Sequence, residues 1–153
     1  MKTRPAPTEP RVLRLPGALR ERLEGFVLAG YPRETCGTLL GRPIDPGRSG
    51  AAGAVVTHVE EGRNLDVERA RDRYQLDPEH LFRAEERARR EGLEVVGVWH
   101  SHPEHPARPS ETDRAAAWEG WSYLIASVDA EAVRELRSWR LADGWFIEEE
   151  VRP

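Results

Sequence analysis

The chain has 153 residues, a length that fits one domain around one core. Its 23 basic and 27 acidic residues leave a net charge of −4, which gives no electrostatic case for a nucleic-acid or membrane-surface partner. A single cysteine, Cys36, excludes an internal disulfide and a CxxC pair.

In chain order, MKTRPAPTEP is polar and Pro-rich and has no apolar core of a leader peptide, so residues 1–9 read as a loose tail and the cytoplasm as the expected compartment. RVLRLP alternates as a short strand does. Leu19, Leu23, Phe26 and Val27 then form one helical stripe between Pro16 and Gly30. CGTLLGR reads as a buried strand and PIDPGRSG as a turn. A further strand is centred on Val55 to Val59. Asn64 to Gln75 has no periodicity and reads as an irregular loop. Asp77-Pro78-Glu79 opens a second helix, expected to run to Arg90 and stop at Gly92, with its Glu and Arg residues forming a solvated face. LEVVGVW is a strong central strand. Ser110-Glu-Thr-Asp is a helix start with Ser110 as N-cap, expected to lead a helix over Glu111 to Glu119. YLIASV reads as a buried strand, and VRELRSWRL and WFIEEEV as a hairpin joined at ADG. The order β-α-β-β-α-β-α-β-β-β predicts a single α/β domain over residues 10–153, with a mixed, mostly antiparallel sheet flanked by helices. No run is apolar over the roughly 18 residues of a membrane span.

Chemistry concentrates in VGVWHSHPEHPARPSETD, residues 96–113, where three of the five histidines fall within six positions. His100 and His102 are two apart at a strand end, so in extended backbone their rings share a face. Imidazole is a common zinc ligand, and Asp113, in the first turn of the next helix, is a carboxylate of the kind that completes such a set. Two histidines and one aspartate leave a fourth tetrahedral position open for water, the pattern of a catalytic zinc site. Each residue also has a plainer reading. His100 can cap the strand, His102 can bond to backbone, Asp113 can serve only as a helix N3 acid, and Ser110 only as its cap.

H-S-H-P, five residues, then P-S-x-x-D resembles the signature of the JAMM metalloproteases, also called the MPN+ family. The match is His100, Ser101, His102, Pro103, Pro109, Ser110 and Asp113. Such proteins carry an upstream P-x-E-x-x-G-x-L-x-G, found here as Pro32, Glu34, Gly37, Leu39 and Gly41. Asn64 and YQLDPEHL also stand where family members have similar text. The resemblance implies a cytidine-deaminase-like α/β fold, a Zn²⁺ ion, and hydrolysis of an amide or isopeptide bond. His100, His102 and Asp113 would hold zinc, Glu34 would act as general base, and Ser110 would stabilise the oxyanion. Small prokaryotic members resemble enzymes that cut after the C-terminal Gly-Gly of ubiquitin-like or sulfur-carrier proteins of the ThiS or MoaD kind. A diglycine tail suits a narrow groove and could pair with an exposed edge strand. A homodimer is compatible with such a family, though no residue argues for it.

Three other readings remain to be weighed. The same residues also suit a metallopeptidase acting on other small peptides or adducts, which the sequence does not separate from the first reading. A non-catalytic scaffold of this fold lacks the ligand set, which is complete here. A zinc deaminase uses H-x-E and P-C-x-x-C, and neither pattern occurs. Of the remaining candidates, Cys36 reads as a small buried residue. His58, His80 and His105 read as exposed. Trp99 and Trp118 adjoin the ligand cluster and are candidates for its wall.

Overall fold

The structure, a computed structural model, describes residues 11–44, 52–70 and 73–153. The expected tail over residues 1–9 and most of the PIDPGRSG turn lie outside the described residues. The elements follow the expected order: β1 (Arg11–Arg14), α1 (Gly17–Gly30), β2 (Cys36–Ile44), β3 (Ala52–Glu61), α2 (Pro78–Arg90), β4 (Glu94–Pro103), α3 (Glu111–Ala115), β5 (Ser122–Val128), β6 (Val133–Ala142) and β7 (Trp145–Arg152).

The expectation of a sheet flanked by helices needs correction, because the sheet closes on itself. Its order is β1-β3-β2-β4-β5-β6-β7, and the four-residue β1 pairs in parallel with both β3 and β7, with Val12 opposite Gly53 on one side and Glu150 on the other. This short strand joins the two end strands of the sheet, covering Ala52–Val55 of β3 and Glu150–Arg152 of β7. Four of the seven pairings are antiparallel, and β1·β3, β1·β7 and β4·β5 are parallel. The β6–β7 connection is the expected tight turn, with Asp143 and Gly144 at φ 50° and 81°, as a two-residue hairpin loop demands.

The apolar stripe of α1 packs as its spacing predicts. Leu23 and Val27 join a cluster that includes Leu13, Leu39, Val59, Trp99, Leu124 and Val128, and Phe26 stacks on Trp99. α2 lies on the opposite face of β2 and β4, where Ala84 and Ala88 meet Leu40. Asp77 caps α2 by accepting the Glu79 N–H at 3.0 Å, and the exposed side carries the Glu79–Arg83 pair four residues apart.

α3 is shorter than expected. It ends at Ala115 because the Trp118 N–H is taken by the Tyr123 hydroxyl at 2.6 Å, which turns the chain away from the helix axis.

Candidate metal centre and active site

β4 runs on past the apolar LEVVGVW segment to Pro103, so the H-x-H pair lies inside a strand gripped on both sides. His100 stands opposite Cys36 of β2 and Ile125 of β5, and His102 opposite Ser127. Strand alternation sends Val98, His100 and His102 to one face and Trp99 and Ser101 to the other.

The three candidate ligands meet. His100 Nε2 lies 3.0 Å from His102 Nε2, and Asp113 Oδ2 lies 3.3 Å and 3.2 Å from the two nitrogens. All three ligand atoms fall within 4.8 Å of one another. Asp113 is delivered by α3, which is anchored as its sequence predicts. The Ser110 hydroxyl accepts the Asp113 N–H at 3.0 Å, and the Ser110 N–H donates to Asp113 Oδ2 at 2.8 Å, closing a capping box. The same carboxylate that caps the helix therefore faces both imidazoles. The plainer readings of Ser110 and Asp113 hold alongside the metal reading and orient its third ligand.

The donor set fits zinc. His102 Nδ1 lies 2.8 Å from the Pro106 carbonyl, an acceptor that fixes the N–H on Nδ1 and leaves Nε2 as the ligand atom. Burial favours the neutral form of Asp113, but the hydrogen bonds of His100 and His102 and the Ser110 N–H outweigh it and hold the carboxyl well below its usual range. Burial likewise pushes His100 down, against the pull of Asp113. In His102 burial opposes the charge, yet Asp113, the Pro106 carbonyl and Glu34 together push it up.

Glu34 is buried on the loop before β2. Its main chain is fixed at both ends. The N–H donates to the Ala70 carbonyl, and the carbonyl accepts the Asn64 amide at 3.1 Å. The next residue, Thr35, is tied to β4 by its N–H to Ser101 Oγ at 2.8 Å and by Ser101 N–H to its carbonyl at 2.9 Å. The Glu34 charge acts on both His102 and Cys36, pushing both groups up. Cys36 is buried as expected. Burial, then Glu34, then Glu61 raise its thiol to about 12, so at neutral pH it is a protonated thiol and not a thiolate nucleophile.

Several residues were not legible as site residues. Tyr74 stacks on the His100 ring at 4.3 Å. Its phenol is held well above its usual range, by burial first and then by Asp113, so it stays neutral. Tyr74 lies in the stretch without periodicity, where the only signal was its place in YQLDPEHL. Ser101 had no assigned role, and a backbone acceptor such as Pro106 leaves no trace in sequence. Trp118 does wall the site: with Tyr74, Leu81, Val98, Trp121 and Tyr123 it lines an apolar cleft of about 270 Å³ that reaches Asp113. Trp99 does not. It is fully buried on the other face of β4, with its indole N–H on the Glu60 carbonyl at 3.1 Å. His105 is exposed as expected. His58 and His80 are each half-buried, beside Glu91 and Thr38 respectively.

The His-x-His strand end facing Asp113 brings together the residues that carry the JAMM resemblance. A family model described as prokaryotic homologs of the JAB domain matches residues 17–142, and the chain belongs to that family. A desampylase of Haloferax volcanii is 38% identical over 99 residues, which span 64% of this chain and 65% of that protein. A probable TtuB-protein conjugate cleaving protease of Thermus thermophilus is 36% identical over 72 residues, 46% of this chain and 45% of that one. The chain thus matches less than two thirds of the length of each of these relatives. In three dimensions, the solution structure of protein DSY2949 from Desulfitobacterium hafniense superposes with a TM-score of 0.77 at 29% identity, covering 92% of this chain and 90% of that one.

Proposed function

We propose that the protein is a zinc-dependent hydrolase that cleaves an amide or isopeptide bond after the C-terminal Gly-Gly of a ubiquitin-like or sulfur-carrier protein of the ThiS or MoaD kind. The observation that carries this reading is the convergence of His100 Nε2, His102 Nε2 and Asp113 Oδ2 beside the Glu34 loop. The two relatives support the substrate class, since one is named for removing a conjugate and the other for cleaving one.

Zinc held by His100, His102 and Asp113 would supply a Lewis acid that makes water nucleophilic near neutral pH. Glu34 is the base in this scheme. Its carboxylate takes the proton of the attacking water and returns it to the nitrogen of the leaving amine. Ser110 uses a lone pair to accept the Asp113 N–H, which leaves its own O–H to donate to the oxygen on which negative charge develops. The side chain is exposed, as contact with substrate requires. The apolar cleft beside Asp113 would receive residues next to the scissile bond, and a substrate seated there would shield that flank from water.

The closed barrel changes how a diglycine tail could be read. β1 covers only Ala52–Val55 of β3 and Glu150–Arg152 of β7, and β2 covers β4 only as far as His100, so the edges such a tail could join are confined to the strand lengths left unpaired. No helix among the described residues is long and apolar enough to cross a membrane.

The test is a panel of diglycine-tailed carrier proteins bearing C-terminal fusions, incubated with the zinc-loaded protein and with Glu34→Gln. Cleavage immediately after the tail by the wild type, and none by the variant at equal zinc content, is the expected result. Cleavage of unrelated peptides alone would refute the substrate class and leave the hydrolase standing. An active Glu34→Gln would remove Glu34 as the base.

A further inference from the structure

The two histidines of the candidate centre are held in unlike ways. His102 has a hydrogen-bond partner on its second nitrogen, the Pro106 carbonyl. His100 is fully buried, and its Nδ1 has no hydrogen-bond partner among the described residues. A ligating histidine ordinarily gives its second nitrogen to an acceptor, and that bond fixes the plane of the ring. Without it the Cβ–ring torsion of His100 is soft, because such sp³–sp² torsions have broad wells.

What meets the His100 ring instead is Tyr74, with centroids 4.3 Å apart and planes 23° from parallel. Tyr74 is itself well placed. Asn64 Nδ2 donates to the carbonyl of Arg73 at 3.1 Å, and Asn64 Oδ1 accepts the N–H of Gln75 at 2.9 Å, so one side chain pins the backbone on both sides of the ring. The same Nδ2 reaches the Glu34 carbonyl.

We propose that Tyr74 is the positioning residue for His100, its ring face holding the imidazole plane so that Nε2 stays aimed at His102 and Asp113. Stacking does for His100 what the Pro106 carbonyl does for His102. The proposal rests on the zinc reading of the site. It assigns the role to the ring and none to the hydroxyl.

The test compares Tyr74→Phe, Tyr74→Leu and Tyr74→Met with the wild type. Zinc affinity is measured by competition with a chromophoric chelator, and ligand geometry by the visible absorption of the cobalt-loaded proteins. Circular dichroism and metal-free melting show which variants fold, and Leu and Met give two chances at a folded, ring-less protein. Tyr74→Phe should bind within a few-fold of wild type with the same cobalt spectrum. The folded ring-less variant should bind about ten- to a hundredfold more weakly, the usual loss when the support of a ligand is removed, and its cobalt bands should move. Wild-type affinity and spectrum in a ring-less variant would overturn the proposal alone. So would a Tyr74→Phe as weak as Tyr74→Leu, which would place the role in the hydroxyl. A wild type that takes up no zinc would overturn the zinc reading and this proposal with it.

Discussion

The side-chain amide of Asn64 donates to the main-chain carbonyl of Glu34 at 3.1 Å. Its oxygen at the same time accepts the N–H of Asp66 at 3.0 Å and of Gln75 at 2.9 Å. One half-buried side chain thus gathers the irregular loop and fastens it to the backbone that carries the candidate base. Asn64→Ala should therefore lower turnover by roughly a hundredfold, the scale of a misplacement of about 1 Å in a reacting group. Because Asn64 also pins Tyr74, the rates are compared with zinc in excess, where occupancy should stay near that of the wild type. Single-turnover rates beside metal analysis on the same samples decide this, and a variant with wild-type turnover would show that Glu34 needs no such support.

Ser110 has two tasks that separate by substitution. As N-cap it contributes about 1 kcal/mol to stability, and as oxyanion donor a factor of about 10²–10³ in rate. Ser110→Ala should lose both. Ser110→Asp restores a cap acceptor but no hydroxyl donor, so it should recover stability without recovering rate. Urea midpoints and turnover on the two variants check this. Parallel recovery of both would leave Ser110 as a helix cap only.

The element order was legible because each stretch carried its own period or cap: the α1 stripe, Asp77-Pro78 at α2, and the Asp143-Gly144 hairpin turn. Closure of the barrel was not, since β1 is four residues long and pairing partners far apart in the chain leave no local signal. In the site, His100, His102 and Asp113 were marked by spacing, and Glu34 and Ser110 by motif. Tyr74 and Asn64 lie where periodicity is absent, so only their tertiary contacts reveal what they do. Trp99 sits beside a ligand in sequence, but strand alternation puts it on the opposite face of β4.

Gly37 gives the upstream motif a steric reason. A Cβ there would overlap the Glu60 carbonyl and press on the Trp99 indole, and neither the β3 main chain nor the fully buried indole is free to yield. Gly37→Ala should destabilise the fold by about 1–3 kcal/mol, the cost of overpacking, read as a lowered urea midpoint. Wild-type stability would mean that β2 and β3 can part at this point without cost.

His80 sets a pH response outside the metal centre. Burial, working against Glu60 and Asp77, holds its imidazole below the ordinary histidine value, with Thr38 Oγ1 at 3.1 Å. The unfolded chain then binds this proton more readily than the folded one. The stabilisation is full above about pH 6.5 and is lost as pH falls through the lowered folded value. The melting temperature of the metal-free protein should drop between pH 7 and 5, and His80→Gln should flatten that drop. An equal slope in both proteins would contradict this assignment.

The most direct measurement is zinc per chain by elemental analysis, on untagged wild type beside Asp113→Asn. The account predicts close to one zinc in the wild type and a clear loss in the variant, since Asp113 Oδ2 faces both imidazoles. A wild type that holds no zinc even after it is added back would contradict the account and leave the barrel as a binding scaffold.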